Sequence, residues 1–149
     1  MLLAIDVGNT KIAIGVFEGS KMRASWMIAT DTERMPDEYA ALLFNLLRHD
    51  GLRTSDVKEA ILCSVVPPMV TAFEQLCQRY FEVSPLVVGA GVKTGMSIRM
   101  DNPREVGADR IANAVAARHL YGKPVIVIDL GTATTFDVVS KEGDYLGGA

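Results

Sequence analysis

The feature that most limits how this chain can fold is an internal repeat. Leu2-Leu3-Ala4-Ile5-Asp6-Val7-Gly8-Asn9-Thr10 runs into an apolar stretch ending at Phe17 and a Glu18-Gly19 turn. Val125-Ile126-Val127-Ile128-Asp129-Leu130-Gly131-Thr132-Ala133-Thr134 runs into a stretch ending at Val139 and a Glu142-Gly143 turn. Asp129 lies 123 positions after Asp6. Solenoid units recur every roughly 20–50 residues, so this distance is too long for one. It reads as two copies of one domain. Residues 1–122 form the first copy, and residues 123–149 open a second, duplicated one that stops after its first strands. The 149-residue chain is therefore expected to be a piece of a larger protein, inactive alone.

Between the copies, hydrophobic periodicity predicts the elements. Apolar runs at 2–5, 11–17 and 22–28 predict three strands in an antiparallel meander. Pro36 opens a helix with Asp37 and Glu38 in its first turn, where the helix dipole favours anions. Tyr39, Leu42, Leu43, Leu46 and Leu47 form its apolar stripe, and Gly51 stops it. A buried strand is expected over 59–66. A second helix follows over 68–81, with Val70, Phe73, Cys77 and Tyr80 on one face. A short strand over 86–88 leads into a glycine-bearing loop over 89–102. A third helix spans 106–121, ended by Gly122 and Pro124, and strands cover 125–128 and 134–139. A meander followed by strand–helix alternation predicts an α/β fold, a mixed sheet with flanking helices.

Composition excludes several function classes. Fifteen Lys and Arg against eighteen Asp and Glu leave a net charge of −3, which argues against nucleic acid or an anionic membrane as the main partner. Cys63 and Cys77 stand in no metal or redox spacing and read as reduced thiols. Met1 to Asp6 has no basic region and is not a signal peptide. The longest uncharged stretch, 60–73, is broken by Pro67-Pro68 and is too short to span a bilayer. A cytoplasmic protein is expected.

Two segments carry chemistry. A strand ending in Asp-x-Gly-Asn/Thr that turns directly into another strand suits a phosphate-binding hairpin. The glycine lets backbone N–H groups approach phosphate oxygens, and Asn9 and Thr10 add neutral donors. Asp6 at the strand end suits a hydrated Mg2+. One copy alone would read as an ordinary Gly-Asn turn, but two acid-bearing copies at domain distance favour nucleotide binding. Neither a P-loop nor a dinucleotide fingerprint is present. The second segment is 101–110, where Pro103 precedes a helix start that places Asp109 in the first turn. An ionised Asp109 suits a general base, and Arg110 suits a clamp on a carboxylate or phosphate. On the residues alone, a first-turn acid beside an arginine reads as structural, a helix stabiliser with a surface pair. His49 and His119 read as structural, and no G-x-S-x-G surrounds Ser64.

Taken together, four motifs closely resemble type III pantothenate kinase. They are Asp6-Val7-Gly8-Asn9-Thr10, Cys63-Ser64-Val65-Val66-Pro67-Pro68, Asn102-Pro103-Arg104-Glu105-Val106-Gly107-Ala108-Asp109-Arg110 and Asp129-Leu130-Gly131-Thr132-Ala133-Thr134-Thr135-Phe136-Asp137. The resemblance runs over the whole chain, and the Gly-Ala-Asp-Arg block is its most specific part. It implies an actin-like ATPase (ribonuclease H-like) fold with a mixed five-stranded sheet, and ATP-dependent phosphorylation of pantothenate, the first step of coenzyme A synthesis. It implies that Asp6, Val7, Gly8, Asn9, Thr10, Lys11, Ile12 and Ala13 form the first ATP-phosphate loop and that Thr132 touches ATP. Gly107, Ala108, Asp109 and Arg110 would bind pantothenate, with Asp109 as base on its primary hydroxyl. Asp129 would hold a monovalent cation, K+ or NH4+, and the working form would be a homodimer with Mg-ATP. The sequence departs from the family at two places: Met100 stands where a tyrosine is frequent, and Lys11 where an asparagine is common. Alternatives are a non-catalytic regulator on the same fold, or another small-molecule kinase of the superfamily.

Overall fold

The computed structural model describes residues 1–89 and 91–149; Ala90, within the predicted 89–102 loop, lies outside the described residues. The elements are β1 (Leu2–Val7), β2 (Lys11–Glu18), β3 (Lys21–Ala29), α1 (Pro36–His49), β4 (Glu59–Ser64), α2 (Pro67–Leu76), β5 (Leu86–Val87), α3 (Ala108–Tyr121), β6 (Val125–Leu130), β7 (Thr134–Val139) and β8 (Tyr145–Gly148). They group into two compact units, Met1–Val87 and Val88–Ala149.

The first unit is built on a five-stranded sheet in the order β3-β2-β1-β4-β5. Its short hairpins make β2 antiparallel to β1 and β3, while the helical crossovers make β4 parallel to β1 and to β5. Along β1 and β2 the side chains alternate. Leu3, Ile5, Val7, Ile12, Ile14 and Val16 are buried in one core with Tyr39, Leu43 and Leu47 of α1 and Met69, Phe73 and Leu76 of α2. Pro36 occupies the first turn of α1 as expected, and the Met35 N–H donates to Glu38 Oε2 at 2.8 Å. Tyr39 is buried without an orphaned hydroxyl: it donates to the Asp31 carbonyl at 2.8 Å and accepts from the Asp31 N–H at 2.9 Å.

Two predictions shift in this unit. The β4 strand ends at Ser64 rather than Val66, because the Ser64 hydroxyl accepts the Val66 N–H and donates to the Val66 carbonyl, turning the chain. The second helix begins at Pro67, one residue earlier than predicted; Val70 packs half-buried against the core as expected, and Met69 beside it is fully buried. The helix then passes into a π-helical turn over Cys77–Phe81. That wider turn rotates the face, burying Phe81 and leaving Tyr80 half-exposed.

The second unit is an antiparallel sheet, β6-β7-β8, against which α3 packs. Ile111 and Ala114 of α3 share a core with Val139 and Tyr145. The helix starts at Ala108, two residues later than predicted, because a 3-10 turn occupies Pro103–Glu105. Strand β8 is not legible in Tyr145-Leu146-Gly147-Gly148, since glycine is a poor strand former. Its pairing comes from β7, across a bulge at Val138/Val139, and from a parallel bridge to Ile98 inside the predicted loop.

Both Asp-x-Gly segments form antiparallel hairpins, but not in the same register: Asp6 pairs with Ala13, whereas Asp129 pairs with Thr135, one residue short of the equivalent place. Leu3, Ile5 and Val7 face Val16, Ile14 and Ile12 across the first hairpin; Ile126, Ile128 and Leu130 face Val138, Phe136 and Thr134 across the second. In the first copy these side chains are core. In the second, Ile126, Ile128 and Leu130 are exposed, and the opposite face, with Asp137, Val139 and Tyr145, is buried. Compactness and repetition thus divide the chain at different points. No helix among the described residues is long and apolar enough to cross a membrane.

Candidate functional site

In the first hairpin, Asp6 sits near the end of β1 on the face opposite Ile5 and Val7, and it is exposed. The Gly8 N–H donates to the Lys11 carbonyl at 2.9 Å, closing the turn. A Cβ at Gly8 would stand 3.1 Å from that carbonyl, tighter than ordinary contact, which is why a glycine suits this corner. Asn9, Thr10 and Lys11 are exposed, Ala13 is half-buried, and Val7 and Ile12 are fully buried core residues. Of the predicted 6–13 loop, Val7 and Ile12 therefore have only backbone to offer a nucleotide. Thr30, which sequence reading missed, ties this loop to the end of β3. Its Oγ1 donates to the Gly8 carbonyl at 2.7 Å and its N–H to the Thr10 carbonyl at 3.0 Å.

In the second hairpin the Gly131 N–H donates to the Ala133 carbonyl at 3.1 Å, a closure one residue tighter than that from Gly8 to Lys11, and Thr132 is exposed at the tip. Asp129 is half-buried, and its Oδ2 accepts from Asn113 Nδ2 at 2.9 Å. Asn113 is four residues after Asp109, so both lie on one face of α3.

Asp109 is the second residue of α3, where the helix dipole favours its charge, and its Oδ1 accepts the Arg110 N–H at 2.8 Å. A Cβ at Gly107 would stand only 2.5 Å from that oxygen, so glycine at the helix start leaves the carboxylate its place. Arg110 reaches the sheet. Its Nε donates to Asp137 Oδ1 at 2.7 Å and its Nη2 to the Phe136 carbonyl at 2.9 Å. Tyr145 donates to the same Asp137 oxygen at 2.6 Å. Asp137 is 0% exposed, and its Oδ2 has no hydrogen-bond partner among the described residues. Burial, followed by the hydrogen bond to Asp137, pushes the Tyr145 hydroxyl up to about 12, so it stays a donor.

The second unit thus joins Arg110 of the predicted set to Asp109, Asp137 and Tyr145, sets Gly107 against Asp109, and separately joins Asp129 to Asn113. Asp137 stood in a quoted motif without a role. Asn113 carried one usable signal, its four-residue spacing from Asp109. Among the described residues no cluster of three His, Cys, Asp or Glu forms a metal cage. Mg2+ is commonly held through one or two carboxylates together with substrate phosphates, so a single acid such as Asp6 or Asp129 suits a hard cation. His49 lies in the last turn of α1 as expected, whereas His119 is exposed rather than packed, because Ile111, Ala114 and Ala117 take the buried face. Both cysteines are buried and form no disulfide among the described residues, and burial raises the Cys77 thiol to about 11.

Residues 2–149 match the family model for type III pantothenate kinase. This chain belongs to the type III pantothenate kinase family. It is 55% identical over 148 residues to the type III pantothenate kinases of Dehalococcoides mccartyi strains BAV1 and CBDB1, covering 99% of this chain and 56% of each relative. The chain therefore spans a little over half the length of the curated relatives it matches. Among solved structures, a ROK hexokinase from Thermus thermophilus superposes with a TM-score of 0.57 at 17% identity, over 97% of this chain and 48% of that one. The ethanolamine utilization protein EutJ from Carboxydothermus hydrogenoformans also gives a TM-score of 0.57, at 16% identity, over 99% and 50%. These likenesses show the fold, an α/β architecture that this chain shares with both.

Proposed function

We propose that the protein phosphorylates pantothenate with ATP, giving 4'-phosphopantothenate on the way to coenzyme A. The carrying observation is the 55% identity, over nearly the whole chain, to relatives named for that activity. Asp109 is the base. It takes the proton of the primary hydroxyl while that oxygen bonds to the γ-phosphorus and the bond to ADP breaks. Its place in the first turn of α3, where the helix dipole favours a carboxylate, supports this role. Gly107, Ala108 and Arg110 would bind pantothenate. Asp6, Val7, Gly8, Asn9, Thr10, Lys11, Ile12 and Ala13 would form an ATP-phosphate loop, and Thr132 would touch the nucleotide.

Asp6, through water, would hold Mg2+, and Asp129 a monovalent cation, K+ or NH4+. These ions would neutralise charge on the phosphates. Residues 123–149 would open the duplicated domain, a reading supported by the antiparallel strand–Asp-x-Gly–strand hairpin that both segments form, the second with a connection between its last paired residues one residue shorter. The working form would be a cytoplasmic homodimer. The test is coupled ADP release by the complete kinase offered pantothenate or simple sugars. Turnover confined to pantothenate is expected; turnover on a sugar, or on neither, refutes the proposal.

A further inference from the structure

Arg110 is held from behind by a buried acid. Charged side chains are almost never fully buried unless paired, and Asp137 is fully buried. Its Oδ1 collects two donors, Arg110 Nε at 2.7 Å and the Tyr145 hydroxyl at 2.6 Å. Arg110 Nη2 is anchored to the Phe136 carbonyl at 2.9 Å. Two anchored nitrogens fix the plane of a guanidinium, which is rigid. Gly148 makes room for the arrangement: a Cβ there would overlap the Phe136 carbonyl oxygen, crowd Arg110 Nη2 and stand 2.8 Å from Asp137 Oδ1. The Arg110 backbone is held as well, through its N–H on Asp109 Oδ1.

We infer that Asp137 is a positioning residue that sets the Arg110 guanidinium for the substrate. The inference rests on the reading of Arg110 as a pantothenate contact. The Nε–Nη2 edge, the usual fork for a carboxylate, is spent on Asp137 and the Phe136 carbonyl. Nη1 makes no hydrogen bond among the described residues, so Arg110 meets substrate through its Nη1 end, as a donor to a carbonyl or anionic oxygen, not through the side-on fork.

The test uses the complete kinase. Asp137→Ala should raise the KM for pantothenate about tenfold, the value of one charge-assisted hydrogen bond lost from alignment, and leave the KM for ATP unchanged. Asp137→Asn keeps an acceptor for Nε and should recover most of that loss. The Arg110→Ala/Asp137→Ala double variant should be no worse for pantothenate than Arg110→Ala alone. Additive losses, or equal rises in both KM values, would overturn the inference. A wild-type KM in Arg110→Ala would refute the substrate reading of Arg110, and the inference with it. A raised KM in Arg110→Ala beside a silent Asp137→Ala would refute the inference alone. Should the Asp137 variants not fold, the wild-type protein still decides by NMR. The Arg110 Nε proton should exchange with solvent far more slowly than that of free arginine, and exchange at the free rate overturns the inference.

Discussion

Gly107→Ala separates the chemistry of Asp109 from the folding of α3. At Gly107 the backbone has φ −58° and ψ 142°, which alanine adopts without strain. The added Cβ would stand 2.5 Å from Asp109 Oδ1, where ordinary contact begins at 3.4 Å, so the carboxylate oxygen must retreat by about 0.9 Å. Asp109 Cγ at 3.7 Å and Arg110 Cγ at 3.9 Å meet the new methyl in normal contact, so only the end of the Asp109 side chain is disturbed. Moving it weakens the bond from the Arg110 N–H, a loss of about 0.5–1.5 kcal/mol. Replacing glycine restricts the unfolded chain and contributes about 0.4–1 kcal/mol in the opposite sense. Stability should therefore change by less than about 1 kcal/mol. Turnover should not be spared, because a misplacement of about 1 Å at a reacting group costs on the order of 10²-fold. Coupled ADP release and thermal melting on the complete kinase measure the two effects. Wild-type turnover would refute the assignment of Asp109 as base in this geometry. A melting temperature falling in step with activity would show the loss to be one of folding.

Four further outcomes follow from the same site and core. Asp109→Asn keeps an oxygen acceptor for the Arg110 N–H, so kcat should fall by about 10²–10⁴-fold with little change in melting; turnover near wild type removes Asp109 from the mechanism. Asp129→Ala should abolish dependence on added K+ and raise the KM for ATP. A variant that melts lower yet keeps its K+ dependence would make Asp129 a strand-end residue only. The Cys77 thiol, raised to about 11, stays protonated in the folded protein where the unfolded chain already ionises. Folding stability should thus decline as pH rises from about 9 to 11. In denaturant titrations a Cys77→Ala variant should lose the part of that slope below about 10, where the raised Tyr145 hydroxyl does not yet contribute. The 149-residue chain by itself should bind Mg-ATP no better than about millimolar, roughly −4 kcal/mol, and form no phosphopantothenate; a micromolar constant by calorimetry would refute the reading of 123–149 as an incomplete second copy.

Local periodicity and turn chemistry made most of the fold legible. The apolar runs of β1 and β2, the Pro36 start and Tyr39-Leu43-Leu47 stripe of α1, and the Asp-x-Gly corners depend on neighbours a few residues away, and each stands where it was expected. The helix start that carries Asp109, although two residues late, was readable for the same reason. Less was legible where backbone geometry departs from the common pattern. The π-helical turn at Cys77–Phe81 changed which side of the second helix faces the core, and no residue type announces such a turn.

By itself the sequence determined an α/β fold with two Asp-x-Gly hairpins and an acid at each, and its motifs resembled the family to which the chain belongs. Only the tertiary structure decided what surrounds those acids. Asn113 reaches Asp129 across 16 positions, Arg110 reaches Asp137 across 27, and Gly148 stands beside both ends of that pair. Such contacts are set when α3 docks on β6 and β7. Periodicity marks which face of an element is apolar, but it carries no information about which polar side chain of another element will meet that face. The burial that forces Asp137 to find Arg110 and Tyr145 exists only once the unit has closed around it.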